Sequence, residues 1–135
     1  MQQIALDPLV VTRCKTAHYV ANLHKATPFP AMLDLVRRYH GLIPMGIGTG
    51  SPRINAEAVL RNTGLDRYFP VVVTADDVEP HKPHPDTFLL VAQRLGVEPE
   101  GCLVFEDTGI GAQAGEAAGM QVCMVKEGKP VGLTY

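Results

Sequence analysis

No stretch of this chain is apolar for long enough to cross a bilayer as a helix. Neither sign of charge is in excess: 12 Lys and Arg stand against 14 Asp and Glu, a formal net charge of −2. That balance gives no electrostatic footprint for nucleic acid or for an anionic membrane surface. Cysteine is scarce. Cys14, Cys102 and Cys123 lie far apart and no C-x-x-C occurs, which speaks against a zinc site or a disulfide framework and fits a reducing, cytoplasmic setting. Met1-Gln2-Gln3-Ile4 has neither a basic stretch nor a long apolar one, so no signal peptide is expected. Three catalytic signatures are also missing. There is no G-x-S-x-G elbow and no Gly-Lys-[Ser/Thr] of a P-loop. Gly46-Ile47-Gly48 and Gly48-Thr49-Gly50 each open a dinucleotide fingerprint, but the third glycine does not follow.

What is present describes an α/β domain. The 135 residues, 46% hydrophobic and 19% charged, suffice for one domain with a core. Asp7-Pro8 reads as a cap and first helical residue, with a helix to about His24; Leu9-Val10-Val11 also suits a short strand. Thr27-Pro28-Phe29-Pro30 breaks the chain. Met32, Leu35, Val36 and Tyr39 follow helical spacing, and Gly41 stops that helix. Leu42 to Ile47 is a short apolar run that predicts a strand. Ser51-Pro52 opens a helix carrying Ala56, Val59 and Leu60 and ending at Gly64. Val71-Val72-Val73-Thr74 predicts a buried strand. Phe88, Val91, Ala92 and Leu95 predict a helix closed by Gly96. Cys102 to Phe105 is a strand, Gly111 to Ala118 a helix, and Gln121 to Val125 a last strand. The tail from Lys126 to Tyr135 is polar and expected to be loosely held. Strands alternating with helices imply a parallel sheet with right-handed crossovers.

Three strand ends carry unusual chemistry. The first runs Gly46-Ile47-Gly48-Thr49-Gly50-Ser51-Pro52. Thr49, Gly50 and Ser51, ahead of a helix N-terminus, make a phosphate cradle; the plainer alternative is that Ser51 only caps the helix. The second leads to His81-Lys82-Pro83-His84-Pro85-Asp86. Prolines on both sides restrict Lys82, which can then set a point charge against phosphoryl oxygens. The alternative is a solvated loop lysine, and His81 and His84 are best taken as surface histidines. Asp76 and Asp77 could be taken as an acidic metal pair, but they lie upstream of the loop and are better read as solvated or as helix caps. The third end, Val104-Phe105-Glu106-Asp107-Thr108-Gly109-Ile110-Gly111, sets two carboxylates after an apolar strand. Burying them is costly without a cation or hydrogen bonds, so Glu106 and Asp107 are candidate Mg²⁺ contacts; capping is their alternative, though Thr108 can serve that purpose.

Together, Gly48-Thr49-Gly50-Ser51, His81-Lys82-Pro83-x-Pro85-Asp86 and Phe105-Glu106-Asp107-Thr108-x-x-Gly111 resemble the haloacid dehalogenase superfamily. Within it they are similar to the β-phosphoglucomutase-like branch, in the manner of fructose-1-phosphate and 6-phosphogluconate phosphatases. Order and gaps agree, with 33 residues from Thr49 to Lys82 and 25 from Lys82 to Asp107. The resemblance implies a Rossmannoid three-layer core over residues 27–135 and a remnant of the helical cap over 1–26. It implies an Mg²⁺-dependent phosphatase acting on a small phosphorylated sugar. Thr49 would bind the transferring phosphoryl group, with Gly50 and Ser51 beside it; Lys82 would balance its charge; Asp107, assisted by Glu106, would hold Mg²⁺.

The resemblance fails at one place. The family's first motif, D-x-D-G-[T/V], supplies the nucleophile and the acid/base, and no D-x-D occurs in this chain. Asp7 lies in Leu6-Asp7-Pro8 and matches the start of the last cap helix instead. The strand carrying that motif lies at the sheet's centre, so its loss is expected to leave two facing rows of unpaired backbone groups. That predicts a fragment, a substitute strand from Leu9-Val10-Val11, or self-association through the exposed edges. The alternative to an enzyme is a non-catalytic remnant that binds phosphate or a partner chain.

Overall fold

In the computed structural model, residues 3–6 are described as backbone and residues 29–131 in full. The chain alternates strands and helices: β1 (Gln3–Leu6), α1 (Pro30–Tyr39), β2 (Met45–Gly48), α2 (Arg53–Thr63), β3 (Val71–Val73), α3 (Asp86–Leu95), β4 (Cys102–Glu106), α4 (Gly109–Ala117), β5 (Gln121–Lys126) and β6 (Lys129–Pro130). Short 3-10 turns at Asp66–Tyr68 and Pro99–Gly101 lead into β3 and β4. The strands form one sheet in the order β3-β2-β1-β4-β5-β6, parallel except for β6. The expected α/β class, with its parallel sheet, is the class observed.

The central slot is a different matter. It was expected to be open, and Gln3–Leu6 fill it. Ile4, Ala5 and Leu6 pair with Met45, Gly46 and Ile47 on one side, and Gln3 to Leu6 pair with Cys102 to Phe105 on the other. Both facing rows of N–H and C=O groups are thereby satisfied, and the physical reason for self-association at the sheet's centre disappears. Four residues are few for a strand, and Gln2-Gln3 masks the apolar run, so composition alone did not mark Gln3–Leu6 as one. The helix expected from Pro8 to His24, and the alternative strand at Leu9-Val10-Val11, lie outside the described residues. Of the stretch assigned to a cap remnant, residues 3–6 are described, and they sit in the sheet.

Side chains on a strand alternate between faces, and this alternation builds the three layers. Leu103 and Phe105 of β4 face one side with Met45 and Ile47 of β2, under Met32, Leu35 and Val36 of α1 and Val59 and Leu60 of α2. Cys102 and Val104 face the other side, under Phe88 and Ala92 of α3 and Ala114 and Ala118 of α4. Phe88 and Phe105 are both fully buried, each contributing roughly 1.5–3 kcal/mol from apolar burial. On the α3 side, β2 presents Gly46 and Gly48. A Cβ on Gly46 would lie 2.7 Å from Cγ1 of Val91, and one on Gly48 would lie 2.9 Å from Cγ2 of Thr87. The alternating glycines therefore let α3 rest on the strand backbone, which brings the loop before α3 close to the end of β2.

Residues 126–131 of the tail, the part that is described, are more ordered than their polarity suggested. Glu127 and Gly128 both have positive φ, 52° and 77°, as a two-residue hairpin turn requires. The turn folds β6 back on β5, with Val125 opposite Pro130 and Lys126 opposite Lys129. A Cβ on Gly128 would meet the Phe29 ring at 2.4 Å, so the hairpin tip seats against the start of α1.

Candidate active site

Thr49, Lys82 and Glu106 come from three different strand ends and meet at the carboxyl edge of the sheet, where ligands of open α/β folds bind. The alternation along β4 explains Glu106. Two residues past Val104, it must point to the α3/α4 side, and it is fully buried. A buried carboxylate needs partners, and Glu106 has four donors. Its Oε2 accepts from Lys82 Nζ at 2.9 Å. Its Oε1 accepts from the backbone N–H of Asp107 at 3.1 Å, that of Thr108 at 3.2 Å, and the Thr108 hydroxyl at 3.0 Å. The Thr108 Oγ1 also accepts from Gly111 N at 3.0 Å, capping α4. An ideal Cβ on Gly111 would lie 2.0 Å from the Glu106 Cδ, so only glycine leaves room for the carboxylate.

Lys82 is not a solvated loop lysine. Its side chain is 5% exposed, its ammonium donates to Gly48 O at 3.3 Å, and it lies 4.6 Å from the centre of the Phe88 ring. Burial pushes the ammonium below its ordinary pKa, against the opposing pull of Glu106 and, more weakly, Asp107. His81 and His84 are exposed, as expected. Thr49 is 1% exposed. Its N–H continues the ladder to Val73 O at 2.9 Å, and its Oγ1 accepts from Ser51 N at 3.1 Å. With that oxygen already accepting, the hydroxyl proton is what Thr49 can offer a ligand. Ser51 does not cap α2. Pro52 occupies the cap position without a side-chain bond, and the first helical N–H, that of Arg53, goes to Asp76 Oδ2 at 2.9 Å.

The haloacid dehalogenase-like hydrolase family matches residues 2–119. The chain belongs to that family. It is 49% identical over 127 residues to the fructose-1-phosphate phosphatase YqaB of Escherichia coli, a match covering 93% of this chain and 67% of that protein. It is similar in fold to a β-phosphoglucomutase-like structure from Thermotoga maritima (TM-score 0.77, 22% identity, 94% of this chain and 86% of that one). The CbbY protein of Rhodobacter sphaeroides, solved with xylulose-1,5-bisphosphate, is also similar (TM-score 0.73, 28% identity, 84% of this chain and 53% of that one). Relatives are thus generally longer: the chain spans 46% of a Haemophilus influenzae relative.

Within the family frame, the geometry brings Thr49, Lys82 and Glu106 together and leaves Gly50 and Ser51 on the loop between Thr49 and α2. Asp107 follows at the rim, with its Oδ1 buried. Sequence reasoning gave Glu106 to a metal; the structure shows its oxygens engaged by Lys82, Thr108 and two backbone N–H groups. Among the described residues no cluster of three or more His, Cys, Asp or Glu side chains forms a metal cage. Asp107 suits a hard cation chemically, because Mg²⁺ takes one or two carboxylates and keeps several waters. The described donor set for Mg²⁺ is therefore partial. Residues that sequence reasoning passed over are Phe88, under the ammonium, and Arg53. Phe88 was visible only as a core position, and Arg53 only as a charged residue in a first helical turn.

Proposed function

We propose that this chain provides the phosphate-holding wall of an Mg²⁺-dependent phosphatase site for a small phosphorylated sugar. The observation that carries the reading is a buried ammonium, Lys82, bonded to Gly48 O at the end of a parallel strand, one residue before the buried Thr49 that leads into α2. Thr49 donates its hydroxyl proton to a phosphoryl oxygen, the backbone N–H of Gly50 and the side chain of Ser51 line the same loop, and Lys82 supplies the positive charge. The identity to a fructose-1-phosphate phosphatase supports a sugar phosphate as the substrate class, and the absence of an excess charge fits a small ligand in the cytoplasm rather than a polymer.

Charge supports a cation as the missing component. Among the described residues, Lys82 and Glu106 cancel and Asp107 adds a negative charge, which disfavours a phosphate dianion unless a cation joins it. Asp107 is the residue that would hold Mg²⁺, which would supply positive charge to the phosphoryl oxygens. The covalent step of the family needs an attacking carboxylate, and no D-x-D is present in the sequence. The sheet's central strand ends at Leu6, and Asp7, the next residue, lies outside the described residues. The competing reading is a phosphate-binding remnant without turnover.

Two measurements test this. Inorganic phosphate is titrated by ³¹P NMR with and without Mg²⁺ into the wild type, Lys82→Met and Asp107→Asn. Binding should require Mg²⁺ in the wild type and weaken about tenfold or more in Lys82→Met, the worth of one charged hydrogen bond. Binding indifferent to Lys82 and Asp107 sinks the proposal. Turnover of a generic phosphate ester then separates the two readings: sustained hydrolysis that Asp7→Asn abolishes places the attacking group in this chain, while binding without hydrolysis leaves the remnant.

A further inference from the structure

Thr49 and Lys82 sit on different loops, and their separation decides whether one phosphoryl group can touch both. We propose that Arg53, gripping Asp76 and Asp77, is a positioning clasp that sets this separation, an inference that rests on the phosphate-site reading above. Arg53 stands at the first position of α2, directly after the Thr49–Pro52 loop. Its backbone N–H goes to Asp76 Oδ2 at 2.9 Å. Its guanidinium donates through Nη2 to Val72 O at 3.0 Å and to the Asp77 carboxylate, and through Nη1 to Glu57 at 3.3 Å. The planar fork makes these contacts together, which a lysine cannot reproduce.

Asp77 in turn closes the start of the lysine loop. Its Oδ2 accepts from Thr74 N at 2.8 Å and from the Thr74 hydroxyl at 3.1 Å. Thr74 Oγ1 accepts from Asp76 N at 3.3 Å. Ala75 N donates to Ser51 O at 3.0 Å, a direct strut between the two loops, and Ala75 O contacts the His81 ring at 3.2 Å, one residue before Lys82. A continuous run of bonds therefore leads from the phosphate loop through Arg53 and the Thr74–Asp77 turn to His81, the residue before Lys82. None of Arg53, Asp76 and Asp77 reaches the ammonium or the Thr49 hydroxyl, so each acts only through that run. Asp76 and Asp77 thereby acquire a role, and the exposure of Asp76 is no argument against it.

The test uses Arg53→Ala, Arg53→Lys and Glu57→Gln, which removes a guanidinium partner on the same helix and leaves both loops alone. Two readouts are taken: phosphate affinity with Mg²⁺, and the ¹⁵N shift and hydrogen-exchange rate of the Lys82 ammonium without ligand. Arg53→Ala and Arg53→Lys should weaken phosphate at least about threefold, near the low end for residues sharing one network. They should also shift the Lys82 resonance and speed its exchange, whereas Glu57→Gln should change neither. A helix destabilised in general would move all three variants alike and overturn the clasp. So would Arg53 variants with native phosphate affinity and a native ammonium signal, while the wild-type dependence on Lys82 would still support the site. Wild-type binding that ignores Lys82 removes the site, and the clasp falls with it.

Discussion

Gly111→Ala tests the central electrostatic contact by geometry alone. An ideal Cβ at this position lies 2.0 Å from Cδ, 2.2 Å from Oε2 and 2.3 Å from Cγ of Glu106, far inside the roughly 3.5–4 Å of a carbon contact. Something must move. The α4 backbone is held by the Thr108 cap on Gly111 N, so Glu106 is the group that yields. It cannot yield cheaply, since Oε1 holds three donors and Oε2 holds Lys82. Overpacking alone costs about 1–3 kcal/mol. Separating a buried ion pair so that one charge is left uncompensated costs about 3–5 kcal/mol. The expected loss is about 3–5 kcal/mol, a large share of the roughly 5–15 kcal/mol that holds a domain folded. Urea unfolding at pH 7, with the slope checked for constancy, measures it. Gly101→Ala, which meets no atom within 4 Å, should fall within about 0.5 kcal/mol of wild type. Gly115→Ala meets a Val122 methyl at 2.7 Å and should cost about 1–3 kcal/mol, because it strains packing without displacing a charge. A loss below about 1 kcal/mol in Gly111→Ala, or one smaller than in Gly115→Ala, would refute the claim that Glu106 is pinned.

Two further outcomes follow from the same contacts. Thr108→Ala removes the α4 cap and one donor to Glu106, and should cost about 1–2 kcal/mol in the same unfolding assay, while Thr108→Ser should recover most of it. Burial acts to raise the pKa of Asp77, but the Thr74 N–H, the Arg53 guanidinium and the Thr74 hydroxyl outweigh it and hold the carboxyl below its ordinary value. A depressed carboxyl stabilises the fold fully above its unfolded value, about 4, and loses that contribution as pH falls through the lower folded value. The stability gap between wild type and Asp77→Asn should therefore be constant from pH 7 to about pH 5 and shrink below about pH 4. A gap that widens as pH falls contradicts the assignment.

The layers of the fold were legible because periodicity is a local signal. The i, i+3, i+4 spacing from Met32 to Tyr39 and the β-branched run at Val71–Val73 each carried their own address. Strand β1 was not legible, because what makes Gln3–Leu6 a strand is the pair of neighbours on either side, and tertiary pairing leaves no mark on four residues. The hairpin at Glu127-Gly128 hid for a similar reason: Glu is a rare occupant of a positive-φ position. At the candidate site, Thr49, Lys82 and Glu106 were singled out from residue type and spacing. Which of them bonds to which was not, since Glu106 and Lys82 are 24 residues apart and tertiary packing, including that of α3 on Gly46 and Gly48, brings them together.

That pairing changes what Glu106 can do. A carboxylate that closes on a buried lysine is already engaged: Oε1 carries three donors, Oε2 carries Lys82, and Gly111 leaves it no space to swing. Replacing one of those bonds by a cation would release Lys82 into a pocket that burial already makes unfavourable for its charge. Glu106 therefore favours the charged form of Lys82 and fixes its position, and in the proposed site Asp107 is the carboxylate whose chemistry suits a cation. Glu106 and Asp107 are adjacent in sequence, but Glu106 is the last residue of β4 and Asp107 lies in the bend that follows, in different surroundings. One motif in this way supplies the counter-charge of the ammonium and, under the proposed function, the carboxylate that a metal would approach.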